Sequence, residues 1–201
     1  MKTVNEARRV QIKSAVPGTA QKIDIATQTL ERNIDFINSC DTKTSIVLAL
    51  VGVLMTIILT NDGLATIYGV ICNSIAGKTF CDVLYLLAVA ASVCKLVFGI
   101  WKLISVLVAK VDPITKGRKQ DQDPSMIFFG GIVNNGGIDA YRKKFAAMKD
   151  TELLDDLISE IYVNAEIATR KYKRYNIGLK CSVLGFAFFI VLLLVGVYIY
   201  Q

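Results

Sequence analysis

Uncharged apolar runs alternate with charged amphipathic stretches along this chain, and the runs set its solvent. Cys181 to Tyr200 holds twenty residues without a charge. At ~1.5 Å per residue a helix of that length reaches ~30 Å, the thickness of a bilayer's hydrocarbon core. Ser45 to Thr60 is a second run of sixteen residues. Its ~24 Å spans a bilayer that thins locally or one whose flanks lend residues. Val83 to Trp101 is a third, nineteen residues with one charge, Lys95. The pattern predicts transmembrane helices over 45–60, 83–101 and 177–200.

Two polar stretches carry helical periodicity. From Thr19 to Thr44, Ile23, Leu30, Ile34 and Ile37 fall on one seam, with Thr27 and Asp41 at its other positions. From 151 to 176, Leu154, Ile158, Ile161, Ala165, Ala168, Tyr172 and Tyr175 keep a 3.5-residue period for three heptads. Acids crowd the start of this second stretch and Arg170, Lys171, Lys173 and Arg174 its end, as the helix dipole favours. Each helix is expected to run on into a span, so the two lie parallel. With Ser45 level with Lys180, an offset of 135 sets Ile37 against Tyr172. The expected fold class is an all-α membrane protein: three transmembrane helices, a parallel, coiled-coil-like helical stalk and a small irregular cap. Residues 1–18 read as a tail and 61–82 as an outer link. Residues 102–150 read as an extension of the second span, stopped at Asp112-Pro113, followed by the cap.

Composition agrees with a membrane protein that keeps an aqueous part: 53% hydrophobic residues, mean hydropathy +0.48 and 20% charged residues. Charge supplies the orientation. Residues 1–44 carry seven Lys and Arg, the link 61–82 carries Lys78 alone, and 102–180 carry fourteen. The positive-inside rule therefore puts the N-terminus and the long second link in the cytoplasm, and the C-terminus outside. The net charge of +6 is accounted for by this bias, so no nucleic acid polymer is expected as a partner. The chain has no His, its five Cys fit no metal spacing, and no nucleophile has an evident base. We expect no enzyme, no metal and no cofactor.

Four groups of residues carry candidate chemistry, each with two readings. Lys95, Lys102 and Lys110 share a helical stripe. Lys95 then lines a pore as an intramembrane polar residue, or it snorkels to the headgroups. Asp41 and Lys43 stand at the junction of stalk and membrane, where the 135 offset puts Asp41 near Arg174 and Asn176; Asp41 is paired there or solvated. Phe128, Phe129 and Gly130, with Arg142, Lys143 and Lys144, have the letters of a nucleotide site in which a ring stacks on a base and cations meet phosphate. A tight turn that buries both Phe rings explains the same letters. Cys72 and Cys81, nine apart in the outer link, form a disulfide or stay as free thiols.

The order of these pieces is familiar. ERNIDFINSCDTKTSIVLALVG leads into the first span, IFFGGI and YRKKF follow the second, and DDLISEIYVNAEIATRKYKRYNIGL precedes the third. The chain resembles, over roughly residues 25–200, the transmembrane effector family of the Pycsar anti-phage systems, kin to the small membrane effectors of CBASS-type defence. The resemblance implies a bacterial inner-membrane protein that partners the lipid bilayer and answers a cyclic nucleotide, of the cyclic CMP or cyclic UMP class. It implies that the response impairs the membrane and halts the infected cell. Short helices with seam-forming extensions suit a homo-oligomer. Two other functions fit the same pattern: a membrane-anchored scaffold whose stalk recruits a partner, and an accessory subunit of a larger channel or transporter.

Overall fold

The computed structural model describes residues 17–77, 79–108 and 124–200. The expected tail (up to residue 16), Lys78, Lys110, the Asp112-Pro113 stop and the polar run Lys116–Asp123 lie outside the described residues. Among the described residues there are six α-helices and no strand: α1 (Thr19–Ile58), α2 (Asn61–Gly77), α3 (Phe80–Leu107), α4 (Phe129–Val133), α5 (Ile138–Ala147) and α6 (Asp150–Tyr200). The chain's three prolines all fall outside these helices, so nothing removes a helical hydrogen bond across the 40 residues of α1 or the 51 of α6. Asn176 and Gly178 leave α6 unbroken. Helices α1, α3 and α6 are each long and apolar enough to cross a membrane. The fold is an all-α membrane protein.

The described residues form two compact units, and α1 and α6 each supply residues to both. The apolar unit holds residues 36–77, 79–108 and 168–200. In it α3 and α6 pack antiparallel. A Cβ added at Gly178, Gly185 or Gly196 would meet Leu103, Leu96 or Tyr85, and one added at Gly99 would meet Ser182. Each pair falls on one register; at Gly99 and Gly185 the facing backbone leaves no room for a side chain, at Gly178 the Leu103 side chain and backbone fill the space, and at Gly196 the Tyr85 and Val70 side chains do. Leu96, Leu103 and Val106 fill the seam, while Leu84, Leu87, Leu194 and Tyr198 face outward as a lipid-covered surface requires. The expected outer link is largely helical: α2 occupies 61–77 and buries Val70 and Ser74. Gly63, Gly69 and Gly77 hid this helix; its contacts with α6, through Val70 against Gly196 and Asn73 Nδ2 donating to the Tyr200 carbonyl (2.8 Å), give it a partner.

The polar unit holds residues 17–35 and 124–167. Ala26, Met126 and Leu157 are its buried apolar residues, and Asn33 Nδ2 donates to the Ile161 carbonyl at 3.2 Å. The buried stripe of α1 differs from the expected seam. Ala26 and Asn33 face inward here, and Cys40 and Thr44 do so in the apolar unit, whereas Ile34 is 42% exposed. Ile23, Leu30 and Ile37 are partly buried, but Thr27 is exposed. Size decides: smaller side chains admit a closer neighbour, and their stripe is turned by roughly 60–80° of helix from the isoleucine seam. On α6, likewise, Leu157 and Glu160 are buried and Ile158 is 52% exposed.

The register is corrected too. Asn33 to Ile161 is an offset of 128 and Asp41 to Lys171 one of 130, against the expected 135. The difference is about 7–10 Å along a helix. Level span starts are not a physical constraint, whereas polar side chains that must find partners are.

Candidate functional site

A short turn anchors the candidate site in the polar unit. Ser125 is 1% exposed, and its Oγ donates to Asp156 Oδ2 (2.9 Å) while accepting the N–H groups of Ile127 (3.3 Å) and Phe128 (3.0 Å). Met126 N–H donates to the same Asp156 oxygen at 2.7 Å. A buried carboxylate is tolerated because charge-assisted donors replace its water. Gly131 closes the turn: a Cβ there would lie 2.4 Å from the Ser125 carbonyl oxygen. Beyond α4, Asn135 is buried, donates through Nδ2 to the Gly131 carbonyl (2.8 Å) and accepts Lys144 Nζ at Oδ1 (3.1 Å). Gly136 and Gly137 then adopt φ of +80° and +100°, a region that glycine reaches without strain, and α5 starts. Tyr141 on α5 donates its hydroxyl to the Met126 carbonyl at 2.9 Å.

This scaffold fixes the residues singled out for a nucleotide. The Phe128 and Phe129 rings lie 4.4 Å apart at 45°, the first partly buried and the second 64% exposed. A Cβ at Gly130 would come within 2.9 Å of the Phe128 ring, so glycine leaves that ring its place. Arg142 and Lys143 are exposed on α5, and among the described residues Arg142 pairs with Asp139, also exposed, at 3.4 Å. Such a pair is worth little and yields readily to an anion. Lys144 is engaged with Asn135. The unit thus joins an exposed aromatic platform on α4 to a basic helix α5 through Tyr141 and Lys144. The turn is a tight one, but it buries neither ring completely. Sequence reasoning missed Ser125, Asn135, Tyr141 and Asp156. Asp155 and Asp156, adjacent on α6, diverge by ~100°. That same divergence leaves Asp155 exposed and turns Asp156 inward.

The other expected residues lie in the apolar unit. Asp41 pairs with Lys171, both carboxylate oxygens 2.6 Å from Nζ, and not with Arg174 or Asn176. Arg174 instead donates to the Ser105 carbonyl at 3.4 Å, and Lys43 is exposed. Beside the pair, burial and then the Asp41 carboxylate push the Cys40 thiol above its ordinary value. Lys95 Nζ lies 5.8 Å from the centre of the Phe188 ring, and Lys102 Nζ lies over Trp101 (4.8 Å) and Phe98 (5.2 Å). Such ring contacts hold an ammonium on an apolar helix without a carboxylate. Cys72 and Cys81 are exposed free cysteines, on α2 and the first turn of α3. At that end Asp82 accepts the Thr79 N–H (2.9 Å) and the Tyr200 hydroxyl.

Three membrane-length helices and a polar helical unit define a multi-pass, all-α membrane protein. The family model for the Pycsar effector protein domain, PycTM, matches residues 25–198, and the chain belongs to that family. It is similar to the Pycsar effector protein GmPycTM of Gulbenkiania mobilis, 28% identical over 180 residues that cover 83% of this chain and 89% of that one. No solved structure matches the chain. Membership makes it an inner-membrane effector of anti-phage defence.

Proposed function

We propose that a cyclic nucleotide, of the cyclic CMP or cyclic UMP class, activates this effector at the polar unit and that activation impairs the inner membrane. The observation that carries the reading is the exposed Phe129 ring, packed at a tilt against Phe128 and joined through one scaffold to the cations of α5. A base stacks on the ring, and Arg142, Lys143 and Lys144 meet the phosphate. Helix α6 carries residues of this scaffold and also the most apolar span, so it is the path from ligand to lipid. The ligand shifts the protein only as far as it binds one packing of these helices better than another. The chain acts as a homo-oligomer, without a catalytic step, with its N-terminus and polar unit in the cytoplasm and its C-terminus in the periplasm.

The test is ion leakage from liposomes that carry the pure protein. Cyclic CMP or cyclic UMP should raise leakage severalfold, and Phe129→Ala should shift the response to higher concentration. No rise with either nucleotide refutes the reading. An intact response after exchanging the three spans for unrelated anchors would favour a scaffold instead.

A further inference from the structure

Both hydrogen bonds that the described residues show between the 125–128 turn and α6 end on one atom, Asp156 Oδ2. Other bonds hold the turn as well. Phe128 is held through the Ser125 hydroxyl, Asn135 holds α4 through Gly131, and Tyr141 holds Met126. The ring platform and the basic helix therefore keep their mutual geometry through bonds of their own, and the two bonds from the turn to Asp156 tie that platform to α6. Its burial makes the link stiff: a charged acceptor 8% exposed, receiving donors at 2.7 and 2.9 Å, has little water to exchange them for.

We infer that Asp156 is a positioning residue that couples the Phe128–Phe129 platform to α6, so that a ligand seated on the rings is transmitted through this side chain. The inference rests on the nucleotide reading above. It assigns separate duties within one unit: the rings and α5 cations bind, and Asp156 relays. Removing the carboxylate should then spare binding and abolish the response, a split that general loosening of the unit does not produce.

The experiment compares wild type, Asp156→Ala, Asp156→Asn and Ser125→Ala as full-length protein. Binding of cyclic CMP and cyclic UMP, liposome leakage and amide hydrogen exchange are measured together. For Asp156→Ala, affinity should stay within about threefold of wild type while leakage at saturating nucleotide falls about tenfold or more. Asp156→Asn restores an acceptor and should recover part of the leak. In Asp156→Ala the amides of Ile127 and Phe128, held by Ser125 Oγ, should keep their exchange rates, while the Met126 amide should exchange about tenfold faster. In Ser125→Ala those of Ile127 and Phe128 should do so, but not that of Met126, which keeps its bond to Asp156. Wild-type leakage from Asp156→Ala overturns the inference, as does parallel loss of binding and leakage. Should wild type neither bind nor leak with either nucleotide, the nucleotide reading fails by itself. The exchange arm then still decides whether Asp156 holds the turn, since an unchanged rate at Met126 in Asp156→Ala overturns it.

Discussion

Replacing Gly99 by alanine should force α3 and α6 apart, and the structure sets the size of the effect. An added Cβ would lie 2.4 Å from the Ser182 nitrogen, 2.5 Å from Ser182 Oγ and 2.9 Å from the Cys181 carbonyl carbon. These are mostly backbone atoms of α6, which cannot swing aside, so the helices must part by about 1 Å to restore ordinary contact. A gap of that size forfeits roughly a quarter to a half of each dispersion contact, worth ~0.1–0.2 kcal/mol apiece. Across some tens of contacts in this crossing the loss is about 2 kcal/mol, within the usual range for overpacking. Alanine's helix propensity returns up to ~1 kcal/mol, which a control removes. A Cβ at Gly52 meets nothing within 4 Å, so Gly52→Ala gains the propensity without the clash. The two variants should therefore differ by about 2 kcal/mol in unfolding by SDS from mixed micelles, roughly thirtyfold in the folded-to-unfolded ratio. Equal stabilities would refute the close α3–α6 crossing.

Further outcomes follow from single contacts. Lys171→Met should cost about 1–2 kcal/mol by leaving the Asp41 carboxylate half-buried without its cation, and adding Asp41→Asn should recover most of it; a double-mutant cycle reads the coupling. Tyr200→Phe removes a charge-assisted hydrogen bond to Asp82 and should raise amide exchange in the last turns of α6 about tenfold, with the rest of the helix unchanged. Arg142→Ala should leave stability within about 0.5 kcal/mol, because both partners of its ion pair are exposed, while weakening nucleotide binding in the liposome assay. A membrane-impermeant maleimide added outside intact spheroplasts should modify Cys72 and Cys81 without prior reduction and leave buried Cys40 unmodified.

What could be read in advance depended on length scale. Uncharged runs of bilayer length predict spans whatever packs against them, because unsatisfied backbone in lipid is too costly for any other structure. The seam of α1 was misassigned because hydrophobicity pointed at Ile34, while close packing selected Ala26, Asn33, Cys40 and Thr44. The aromatic, glycine and basic letters of 128–144 marked a candidate site, but not the carboxylate twelve residues beyond Lys144 that holds its turn. Nothing local to Asp156 distinguishes it from Asp155; only the direction each takes from α6 does.

Local composition and period were enough for the solvent, the helical class, the three long apolar helices and the resemblance to the effector family. The register of α1 against α6, the helix within the outer link, the partner of Asp41 and the inward turn of Asp156 came from packing instead. Those depend on which distant backbone comes close enough to need a glycine or a hydrogen-bond partner, and that is a property of pairs of segments far apart in the chain.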